Sequence, residues 1–181
     1  MTESTTPTLT PTLTGERADL LEQLGKARFF LRFTANELTD AQAAERSTVS
    51  ELCVGGLIKH VTGVEQAWVG FILEGPSAMP DFTAMTEEDF AHRRDGFRLL
   101  PGETLPGVLA DYAEVARRTD DLVATLPDLD AAHPLPKAPW FDADARWSAR
   151  RVLLHIIAET AQHAGHADII REALDGAKSM G

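Results

Sequence analysis

The chain has 181 residues, 44% of them apolar and 25% charged, which is the make-up of one folded globular domain rather than of a disordered chain. No apolar run approaches the roughly 20 residues that a membrane span needs, and a net charge of −11 with no basic patch beyond the short "HRRDGFR" at His92–Arg98 argues against nucleic acid and anionic lipid as partners. A single cysteine, Cys53, excludes an intramolecular disulfide, and the first residues lack the basic-then-apolar order of a secretory leader, so the expected compartment is the cytoplasm.

Residues 1–14, "MTESTTPTLTPTLT", are rich in Thr and Pro and poor in large apolar side chains, and are expected to form a disordered tail. From Glu16 onward Leu20, Leu24, Ala27, Leu31, Thr34 and Leu38 recur at steps of three and four, predicting a first helix that ends near "NELTD". A second helix is expected between Ser50, placed to cap its start, and Gly75-Pro76, which stops it. Its glycines Gly55, Gly56, Gly63 and Gly70 weaken helix propensity but are expected to permit close contact with another helix. Met79 to Gly102 reads as a long connection with a short helical piece. Leu105 to Leu126 is a third amphipathic helix.

The proline-rich "PDLDAAHPLPKAPWFDADARW" cannot be regular helix, and the last helix runs from about Ser148 to Leu174, with Gly176 as its stop. Four helices without a strand-like alternation define an all-α four-helix bundle over residues 15–176, followed by a short tail at 177–181. The two long connections fit crossings rather than hairpins.

The chemistry-bearing residues interrupt the apolar faces. Measured from Glu159 at about 100° per residue, Val152 and Ile170 fall at about +20° and Ile156 and Leu174 at about +60°, while His155, His166 and His163 fall at about −40°, −20° and +40°. Around His60 on the second helix, Cys53 and Phe71 lie at about +20°, Val64 at about +40° and Leu57 at about +60°. Both helices therefore carry polar residues where the core stripe is expected. A carboxylate alone in a bundle interior costs several kcal/mol or takes up a proton, so Glu159 needs a partner.

A divalent metal shared between the two helices meets that need, with His60, Glu159 and His163 as a two-histidine, one-carboxylate set. Such a set suits zinc with one position open, and also nickel or iron. His166 lies about 10.5 Å along the helix axis from Glu159 and is expected to support a ligand or line the pocket rather than bind. His155 is expected either in the pocket or packed at the bundle end. Cys53 reads as a small buried hydrophobe, Trp68 and Trp147 as packing residues, and Trp140 with Phe141 as candidates for a pocket mouth.

At "GLIKHVTGVEQAW" and "RWSARRVLLHIIAETAQHAGHADIIREALDG" the sequence resembles the DinB-like superfamily of metal-binding bundles. It is most similar to the actinobacterial branch of mycothiol-dependent maleylpyruvate isomerase and mycothiol S-transferases. The resemblance covers about Glu16 to Gly176. It implies an up-down-down-up helix order and carries the ligand roles onto His60, Glu159 and His163, with glutamate where many relatives have histidine. The sequence ends at Gly181, and the additional C-terminal domain of the isomerase is not expected, which argues against maleylpyruvate isomerisation itself.

The leading expectation is a zinc-dependent enzyme that uses a thiol such as mycothiol on a small electrophile. A second reading is a hydrolase that uses metal-bound water. In a third, the chain is a non-catalytic metal-binding bundle, forming a homodimer through exposed helix faces. A thiol requirement separates the first from the second, and a coordinatively closed metal would favour the third.

Overall fold

The computed structural model describes residues 13–179. The predicted N-terminal tail lies outside these residues except for Leu13 and Thr14, as do the last two residues of the predicted C-terminal tail. In chain order the elements are α1 (Glu16–Phe33), α2 (Asp40–Ala44), α3 (Val54–Glu74), a 3₁₀ turn (Gly75–Ala78), α4 (Glu87–Asp95), α5 (Leu105–Thr125), β1 (Ala132–Pro134), β2 (Arg146–Ser148) and α6 (Ala149–Asp175).

Two apolar clusters give the helix directions. Leu20 near the start of α1 shares one cluster with Phe71 near the end of α3, Val123 near the end of α5 and Val152 near the start of α6. Leu31, Leu57, Val108 and Ala167, from the opposite ends of the same helices, share the other. Hence α1 and α6 run one way and α3 and α5 the other, which is the up-down-down-up order of an all-α bundle. α1 packs chiefly on α6, and α3 lies between α5 and α6, so α1 and α3 face each other across the middle. Consecutive elements on a diagonal require long connections.

Several boundaries are set by caps that periodicity does not reveal. α1 ends at Phe33, short of the predicted "NELTD": the Thr34 hydroxyl donates to the Leu31 carbonyl at 2.7 Å, and Glu37 takes a positive φ of 63°. Leu38 still packs on the core, but from a turn, and Thr39 forms a capping box with Gln42 to open α2. α3 is capped by Cys53, not Ser50; the buried sulfur accepts from the Gly56 amide at 3.4 Å. Gly75, at φ 73°, stops α3 where expected. Ser148 caps α6 and left-handed Gly176 ends it.

The proline-rich connection holds a small antiparallel pair, with His133 opposite Trp147, where no strand was expected. Strands of three residues are too short to show a period.

The loop after α4 lies directly on α3. A Cβ added at Gly56 would collide with the carbonyl of Phe97, and one at Gly55 with the Leu99 side chain, so these two glycines permit contact with a loop rather than a helix. Gly56→Ala is expected to cost about 1–3 kcal/mol, as overpacking does, because the obstacle is backbone. It should also shift Phe97; chemical denaturation and metal titration of the variant measure the two effects.

Between the clusters the interior is polar. Arg28 of α1 and Glu65 of α3, 2% and 0% exposed, form an ion pair across the bundle, and Arg28 continues to Asp120 at 2.7 Å.

Candidate metal centre

α3 and α6 are neighbours, and each turns its outer flank toward a cavity of about 1050 Å³. The buried residues of α6, among them Ile156, Thr160, Ala164 and Ala167, centre about 80° away from Glu159 at 100° per residue. Those of α3, such as Val61, Glu65, Trp68 and Ile72, centre about 100° away from His60. Glu159 and His60 therefore stand at the edge of their core stripes, not at the centre. The Glu159 side chain keeps 28% of its surface exposed. The interior carboxylate that needs a buried partner is Glu65, and Arg28 supplies it.

One donor atom each of His60, Glu159 and His163 lie within 4.8 Å of one another. Glu159 is bracketed along its own helix: His163 Nε2 lies 3.4 Å from Oε2, and His155 Nε2 lies 3.9 Å from Oε1. The His60 ring meets His163 edge-on at 4.9 Å between centroids and stacks on Phe97 at 3.8 Å. Seated on Gly56, the Phe97 backbone thus braces the imidazole through its ring.

The protonation states suit a cation. Burial first, and then the neighbouring His163, pull the pKa of His60 down from 6.5 to about 4, so its imidazole is neutral with a lone pair to give. The hydrogen bond with His163 holds the Glu159 carboxyl below its ordinary 4.5 and keeps it ionised. Two imidazoles and a carboxylate within this radius could close on one tetrahedral ion, with bonds of about 2.0–2.2 Å, through small side-chain movements.

The remaining histidines stand outside this group. His166 Nδ1 lies 3.5 Å from Nδ1 of His163, on the side away from Glu159. His155 lines the cavity rather than the bundle end, edge-on to Trp68 at 5.0 Å and Trp147 at 5.1 Å. Burial lowers its pKa. Trp68 and Trp147 stack at 4.9 Å and, with Trp140 and Phe141, also line the cavity. Sequence reasoning assigned Trp68 and Trp147 to packing alone and overlooked Phe97, Arg93 and Glu65. The only local hint was the "GFRLL" segment between two helices, which must cross α3 somewhere.

Helix order and the His-Glu-His grouping beside a cavity define the class as a DinB-like bundle. A family model, Mycothiol-S-transferase, matches residues 19–176, and the chain belongs to that family, which is one of enzymes. Among curated proteins none matches the chain. No described helix is long and apolar enough to cross a membrane.

Proposed function

We propose that the protein joins the thiol of mycothiol to a small electrophile with the help of a divalent metal, zinc foremost, held by His60, Glu159 and His163. The observation that carries this reading is the grouping of three donor atoms within 4.8 Å at the edge of a cavity large enough for two small molecules. Membership of the transferase family supports the thiol chemistry.

Bound there, the ion would supply the positive charge that favours the thiolate, the nucleophilic form, at neutral pH. The protein's own residues do the rest. His60, neutral and braced by Phe97, holds its donor toward the cavity, and Glu159 offsets part of the cationic charge. His166 steadies the far nitrogen of His163, the kind of outer contact that fixes a ligand's orientation. Trp68, Trp147 and His155 form a wall that excludes water from the reacting sulfur. On the α5 side, Asp111 offers an acceptor for the hydroxyl groups of a sugar-bearing thiol. A cytoplasmic protein fits this chemistry, since reduced thiols prevail there.

Purified protein should consume an electrophile only when mycothiol is added, and removing the metal with a chelator should abolish turnover. Undiminished turnover without thiol would favour hydrolysis instead. Nickel or iron suits the same donors, so metal analysis of the active protein belongs with the assay.

A further inference from the structure

Three cationic side chains line the cavity, and two are already paired: Lys59 Nζ lies 2.7 Å from Glu103, and Arg118 Nε lies 2.8 Å from Glu114. The third, Arg93 of α4, forms no ion pair among the described residues, although its neighbour Arg94 pairs with Glu87. Its guanidinium lies over the Phe82 ring, 5.4 Å from the centroid. The contact seats the cation against an aromatic face, and its N–H groups, which can donate as a planar fork, have no acidic partner among the described residues.

Phe82 begins a chain of ring contacts around the cavity. Centroids are 5.2 Å apart from Phe82 to Trp140, 6.0 Å from Trp140 to Phe141 and 5.7 Å from Phe141 to Trp147. The chain closes on His155, one helical turn before Glu159. One side of the cavity is thus aromatic from Arg93 to the histidine cluster, while α5 presents Asp111 and the Glu114–Arg118 ion pair. An anionic group entering here finds, among the cations that line the cavity, one without an ion pair, Arg93 at the head of the aromatic wall; Arg151, also without an ion pair among the described residues, lies over the Trp147 ring at the far end, 4.2 Å from its centroid.

We propose that Arg93 selects electrophiles that carry a carboxylate on a planar, aromatic body, with the carboxylate on the guanidinium and the ring along Phe82, Trp140 and Trp147. A carboxylate matches the planar donor fork of arginine, and one guanidinium balances the charge of one carboxylate but not of a dianion such as phosphate. The assignment rests on the transferase reading for the reaction but not for the binding, which can be measured without thiol.

The test is equilibrium binding of 2-naphthoate and its neutral twin 2-naphthamide to the metal-loaded protein, followed by quenching of tryptophan fluorescence. Wild type should bind the carboxylate more tightly by roughly five- to tenfold, the scale of one charge-assisted pair partly screened by water. In Arg93→Gln the preference should vanish while naphthamide binds as before, which also shows that the wall is intact. A preference that persists in Arg93→Gln would place the carboxylate on the metal or another cation and overturn the proposal. Equal binding of the two probes to wild type would overturn it as well. Loss of transfer activity with these binding results intact would count against the transferase reading alone.

Discussion

Replacing His163 with alanine is expected to strip the metal from the protein while the bundle stays folded. In the proposed site His163 supplies one of three donors, and its hydrogen bond keeps Glu159 ionised, so its loss should remove a ligand and loosen a second. The affinity should fall by more than the roughly 10–100-fold that loss of an outer partner costs. His166→Ala, which takes away only the neighbour at the far nitrogen of His163, should stay within that range. Folding should survive because the core residues of α6, among them Ile156, Ala164 and Ala167, are untouched. Competition with a chelator gives the affinities, and circular dichroism the helix content. Unchanged affinity in His163→Ala would remove His163 from the ligand set.

Glu65→Ala should destabilise the fold by about 3–5 kcal/mol, because it leaves the Arg28 guanidinium buried with one carboxylate instead of two. Glu65 is fully enclosed, and Arg28 is only 2% exposed. The double variant Arg28→Met/Glu65→Leu, apolar and of similar volume, should recover most of that loss. Denaturant unfolding checks both. A cost below about 1 kcal/mol in Glu65→Ala would show that Arg28 finds another partner, against the desolvation argument. Bound metal should be unaffected in the double variant, which separates the structural carboxylate Glu65 from the site carboxylate Glu159.

These two glutamates show what can be read from sequence and what cannot. The four long helices, the stop at Gly75 and both ends of α6 follow from periodicity and local caps, since those signals lie within a few residues of the feature they set. His60, Glu159 and His163 stand out because polar residues border apolar stripes. A helical wheel centred on the odd residue does not tell the middle of a stripe from its edge. That distinction depends on which neighbours cover the helix: α5 and α6 flank α3, and the cavity opens on the flank that carries His60.

Glu65 carries no local mark of burial, because its partner Arg28 is 37 residues away. The seat of Phe97 on Gly56 is likewise hidden, because it depends on how closely one segment approaches another; the cap at Cys53 is local but is made by a sulfur, which is not among the usual capping groups. The hairpin that places Trp147 beside His155 belongs to the same group: its partners, Ala132–Pro134 and Arg146–Ser148, are brought together by a proline-rich turn with no period to follow.

X-ray absorption at the zinc edge, recorded on the purified protein before and after adding a thiol, tests the central claim most directly. One zinc per chain is predicted, with only nitrogen and oxygen neighbours at about 2.0–2.2 Å, gaining a sulfur neighbour at about 2.3 Å when the thiol is added. A protein lacking stoichiometric metal, or a metal whose neighbours do not change with thiol, would contradict the account.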